Sequence, residues 1–93
     1  MKYELALSGK FKKDLKAAKR RGLDISLLDS VVDKLLQGIA LDKKYKDHPL
    51  RGNWDGFREC HIQSNWLLIY LIEDDILTLT LVETGTHSDL YKK

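Results

Sequence analysis

The sequence predicts an α+β domain in which an N-terminal strand and a helical hairpin pack on an antiparallel sheet. Three observations carry this. Apolar residues recur at helical spacing between positions 8 and 38. Between positions 57 and 82 they alternate or run continuously, as in strands. Turn signals separate the segments, and helices followed by a meander put the helices on one face of the sheet. The 93 residues make a single domain, 1–93, with one modest core. No repeat, linker or low-complexity tract interrupts it.

Each element has its own signal. Residues 2–7 alternate weakly, as a first strand would. Ser8 offers an N-cap, and Phe11, Leu15 and Ala18 share a helical face. Lys19, Arg20 and Arg21 suit the helix C-terminus, and Gly22 stops it. Ser26 followed by Asp29 resembles a capping pair for a second helix. Leu27, Leu28, Val31, Val32, Leu35 and Leu36 form its apolar stripe, closed by Gly38. Residues 57–62 alternate, and 66–72 form a continuous apolar run suited to a strand buried on both faces. Glu73, Asp74 and Asp75 make a turn before a strand over 76–82. Gly85 breaks the pattern, and 86–91 form a short turn or helix.

Composition narrows the class. Apolar residues are 43% and charged residues 32%, as in soluble globular chains. No apolar run spans a membrane, and the first residues lack the apolar stretch of a secretory signal. The single cysteine, Cys60, allows no internal disulfide and no cysteine-rich zinc module, so a reducing cytoplasm is expected. The net charge is only +2, but the positive charge is clustered. Residues 10–21 hold seven basic side chains against Asp14, and Lys43, Lys44, Lys46 and Arg51 form a second group. Such clusters attract phosphate or an acidic protein, or serve only as solvated faces.

Three histidines could carry chemistry: His48 in a loop, His61 near a strand end, and His87 after the last strand. A histidine pair can act as general base and acid near neutral pH, which is most of what RNA cleavage needs. A cation then stabilises the crowded phosphate, and Lys44, Lys46, Arg51 and Arg58 are candidates. Three histidines also have an ordinary explanation as surface polar residues. No two lie three to five apart, so their spacing does not suggest zinc, and no metal or other cofactor is expected. Cys60 and His61 are consecutive in a strand, point to opposite faces and form no nucleophile–base pair. Among the aromatics, Tyr91 is better placed to meet substrate, while Trp66 better suits a core.

Four strings are more specific: Tyr45-Lys46-Asp47-His48-Pro49-Leu50, Gly52-Asn53-Trp54, Arg58-Glu59-Cys60-His61-Ile62, and Thr84-Gly85-Thr86-His87 with Leu90-Tyr91. Together they resemble the YafQ branch of the RelE/ParE superfamily of bacterial type II toxins, over essentially the whole chain. The resemblance implies an endonuclease cutting mRNA in the A site of the 30S/70S ribosome. It also implies inhibition by a DinJ- or RelB-like antitoxin, in 1:1 contact and usually within a heterotetramer. It assigns catalytic roles to His48, His61 and His87, a supporting role to Tyr91, and contributions from Arg58, Glu59 and Trp66. The expected pair for proton transfer is His48 with His87, with His61 stabilising the phosphate and a 2′,3′-cyclic phosphate as product. This chain has Asn65 where the family often has aspartate; Asn65 can bond RNA but cannot act as a base. It has Glu83 where arginine is common. The alternative within the superfamily is a non-catalytic member that targets gyrase or serves as an antitoxin-bound repressor component.

Overall fold

Ser8 opens the first helix as its side chain predicts. Its hydroxyl accepts from the Phe11 amide at 2.9 Å and donates to the Val82 carbonyl at 2.6 Å, tying helix to sheet. In the computed structural model, which describes residues 1–91, the chain runs β1 (Glu4–Leu7), α1 (Gly9–Arg20) and α2 (Ile25–Leu36). A 3-10 turn at Lys43–Tyr45, β2 (His48–Pro49) and a second 3-10 turn at Gly52–Trp54 follow. Then come β3 (Arg58–Gln63), β4 (Trp66–Glu73), β5 (Thr78–Gly85) and α3 (His87–Leu90).

Asp24, rather than the expected Ser26–Asp29 pair, caps α2. Asp24 is the extended residue just before the helix, and its carboxylate accepts from the Ser26 amide at 3.0 Å. Ser26 already lies inside the first turn.

The sheet has the order β1-β5-β4-β3-β2. The β2–β3, β3–β4 and β4–β5 pairings are antiparallel, as the meander requires. The first strand, whose direction the sequence leaves open, joins this antiparallel meander parallel to β5, with Leu5 opposite Leu79. Strands placed at opposite ends of the chain and joined through a long crossover can pair this way. The last strand starts at Thr78 rather than 76, because the turn extends to Leu77, which takes a positive φ of 48°.

The sheet's two faces are covered unequally. Against α1 and α2 lies the main core, including Phe11, Leu28, Val31, Cys60, Trp66, Leu68, Tyr70 and Leu79. Each large apolar side chain buried there contributes about 1.5–3 kcal/mol. The other face carries a smaller cluster of Leu67, Ile69 and Leu90, flanked by Leu50, Trp54, Phe57, Val82 and Tyr91. Its covers are short: α3 and the segment through the second 3-10 turn. Among the described residues no helix is long and apolar enough to cross a membrane.

Candidate active site

Alternation along β3 sorts its side chains. Cys60 and Ile62 enter the main core, while Glu59 and His61 pair across the ladder with Ile69 and Leu67 on the lightly covered face. The two-residue strand β2 sets His48 directly opposite Glu59. Just before it, Lys46 adopts a left-handed conformation with φ 49°. That turn brings the Lys46 carbonyl within 2.7 Å of His48 Nδ1, while Nε2 lies 3.4 Å from Glu59 Oε1.

Glu59 is only 3% exposed, yet each of its oxygens has a side-chain partner. Oε1 faces His48, and Oε2 accepts from the Tyr91 hydroxyl. Burial and this bond to Glu59 raise the phenol's pKa, keeping Tyr91 a protonated donor. The Tyr91 ring rests against His87, with centroids 5.2 Å apart. The result is a continuous line, His48–Glu59–Tyr91–His87, drawn from a loop, a strand and the C-terminal helix.

The helix is itself anchored. Thr86 and Asp89 form a capping box, and Asp89 Oδ2 also accepts from Arg21 of α1's C-terminus at 2.8 Å. His61, half-buried, lines a neighbouring groove of about 440 Å³ with Lys44, Tyr45, Lys46 and Ser64.

Residues 3–92 match the family described as the bacterial toxin of type II toxin–antitoxin systems, YafQ. The chain belongs to the YafQ toxin family. It is 37% identical over 89 residues to the mRNA interferase toxin YafQ of Escherichia coli K12, covering 95% of each chain. The toxin in the crystal structure of the E. coli DinJ–YafQ complex superposes with a TM-score of 0.88 at 37% identity, covering 96% of this chain and 98% of that one. A metal-bound toxin from Helicobacter pylori gives 0.91 at 45% identity, covering 96% and 99% respectively.

In this YafQ-family chain the structure does not bring every predicted residue to the site. For Trp66 the family resemblance implies a place among the RNA-binding residues, while its own sequence context suits a core. It is 2% exposed within the main core, its indole N–H donating to Thr84 Oγ1 at 2.9 Å. Arg58 was a candidate for the phosphate. Strand alternation turns it to the opposite face from Glu59, where it donates to Asp47 at 3.2 Å. Asn65 is exposed in the β3–β4 turn and lines a separate cavity of about 370 Å³ with Arg21, Ser64 and Thr86. Arg51 and Lys44 are exposed on the loops flanking β2.

Glu83 lies 4.0 Å from Lys10 Nζ, and burial raises its carboxyl pKa. Burial also pushes the Cys60 thiol up to about 12, leaving no thiolate for chemistry. Among the described residues no three His, Cys, Asp or Glu side chains are grouped to hold a metal ion. Sequence reasoning passed over Asp47 and Tyr70, which bond each other at 2.6 Å. Asp47 stood inside a quoted string, but nothing in its spacing says that it points inward.

Proposed function

We propose that this YafQ-family toxin, an endoribonuclease of the mRNA-interferase class, cuts mRNA in the ribosomal A site by general acid–base chemistry on its own side chains. The observation that carries this reading is buried Glu59, which links His48 to Tyr91 and so to His87 on one open face. In the reaction the ribose 2′-oxygen attacks phosphorus and the bond to the 5′-oxygen breaks, leaving a 2′,3′-cyclic phosphate. His87, exposed at the start of α3, removes the 2′-proton. His48 faces acceptors at both ring nitrogens, so its protonated form can donate at each; it delivers a proton to the 5′-oxygen. His61 and the nearby Lys44 and Lys46 receive the phosphate. Tyr91 fixes Glu59 and offers its ring to a base.

The protein works in the cytoplasm and is silenced by a DinJ-like antitoxin. The solved complex of the E. coli relative with DinJ supports that partner. Expression of His87→Ala tests the enzyme reading. Growth should continue, and primer extension should lose the new 5′ ends that the parent makes inside translated codons. Parental cleavage by His87→Ala would remove His87 from catalysis. Growth arrest by the parent without any new RNA ends would favour the non-catalytic alternative.

A further inference from the structure

The loop that presents His48 has little to hold it. Its strand, β2, is two residues long: His48 and Pro49 pair with β3, and one further backbone bond, from the Leu50 amide to the Phe57 carbonyl at 2.9 Å, follows on the far side of His48 from Asp47. Lys46, two residues before His48, occupies a backbone region that non-glycine residues rarely adopt. A loop this lightly paired would sample several orientations unless something else fixed it.

Asp47 supplies the fixing. His48 points to the open face, and the side chain of Asp47, one residue earlier, turns to the helix-covered face. There Oδ1 accepts from the Tyr70 hydroxyl at 2.6 Å and Oδ2 accepts from Arg58 at 3.2 Å. Tyr70 is 1% exposed, at the middle of the central strand β4, and cannot itself reach solvent or substrate. Its partner across the ladder is Arg58, whose neighbour in β3 is Glu59. One carboxylate therefore ties the loop to two adjacent strands, and the same strands set Glu59 opposite His48.

We propose that the Tyr70–Asp47 bond is a latch that positions His48, making Tyr70 a positioning residue for RNA cleavage. This rests on the reading of His48 as a catalytic group. Removing the hydroxyl leaves the ring to fill the core but leaves the carboxylate held only by the longer bond from Arg58, so the loop loses the shorter of the two anchors that aim the imidazole. A misplacement on the ångström scale lowers turnover, whereas Lys44 lies outside the latched segment and Lys46 can follow a phosphate on its flexible four-carbon stem.

The test is Tyr70→Phe, with Asp47→Ala as a second variant that does not depend on the core. Cleavage of a translated mRNA in a reconstituted translation system is measured against mRNA concentration, with amide NMR spectra of each protein. Tyr70→Phe should lower kcat at least tenfold with KM within twofold, and move the amide signals of residues 46–48 while sparing those of α3. The double variant should be no slower than Asp47→Ala alone, since Asp47→Ala already removes the bond that Tyr70→Phe breaks. Parental kcat for Tyr70→Phe, beside a His48→Ala variant that no longer cleaves, overturns the latch and leaves the His48 reading standing. Changes in KM and in signals across the whole protein also overturn it, by making Tyr70 merely structural. Parental cleavage by His48→Ala would instead overturn the His48 reading, whatever Tyr70 does.

Discussion

His48 sits between two acceptors, the Lys46 carbonyl at Nδ1 and the Glu59 carboxylate beyond Nε2. His87 is exposed, with the Tyr91 ring against it. That difference supports the proposed division of the two proton transfers, on which the spacing of the histidines is silent. It leads to a test by chemical rescue. An RNA whose 5′-bridging oxygen is replaced by sulfur has a leaving group that needs no proton. Cleavage of that RNA by His48→Ala should recover to within about tenfold of the parent, because positioned acid catalysis supplies roughly 10²–10⁴ of the rate. His87→Ala should stay slow on the same RNA, since the 2′-proton must still be removed. Rescue of His87→Ala but not His48→Ala, followed by product analysis on a gel, would exchange the two roles.

At the scale of the element, α3 needs help to exist. Four residues fall far short of the length at which a helix holds itself in water. The Thr86–Asp89 capping box, the Arg21–Asp89 ion pair and burial of Leu90 supply that help, and through them α1 fixes His87 and Tyr91. The bond from Arg21 holds the Asp89 carboxyl well below the usual carboxylate range. A depressed folded-state pKa gives stability that is present above the unfolded value, near 3.9, and is lost as pH falls toward the folded value. Hydrogen exchange of the α3 amides should therefore be slow relative to random coil at pH 6 and lose protection below about pH 4. Asp89→Ala should abolish this pH step, cost about 1 kcal/mol in α3, and reduce cleavage with little change in global melting temperature. Gly85 constrains the same contact from the other side: a Cβ there would stand 2.9 Å from Asp89 Oδ2. Unchanged protection and activity in Asp89→Ala would show that Leu90 alone docks the helix.

For the whole molecule, the periodic part of the fold was legible in the sequence. Helix and strand periods record which face of an element is buried, and β3 and β4 fall where alternation and the apolar run put them. The parallel partner of β1 was not legible, because register between distant strands leaves no local mark. The site divides in the same way. The strings around His48, Glu59, His87 and Tyr91 marked residues that the fold gathers, whereas Arg58 and Trp66 are turned away by strand direction and packing. Charge adds one more whole-molecule property. A net +2 predicts weak attraction to RNA, but the groove beside His61 concentrates Lys44 and Lys46, and Arg51 is exposed on the other flank of β2. If these three cations contact phosphates, the affinity of His87→Ala for a single-stranded RNA should fall with a slope of about −2 in log K against log salt, since each single-strand contact contributes roughly −0.7. Fluorescence anisotropy between about 50 and 200 mM KCl reads that slope. Lys46→Ala should reduce it by close to one contact's worth, whereas Lys12→Ala, on exposed α1, should leave it unchanged. The opposite pattern would move the RNA path from the groove to the helical face, and the basic stretch of residues 10–21 would become the principal RNA-binding surface.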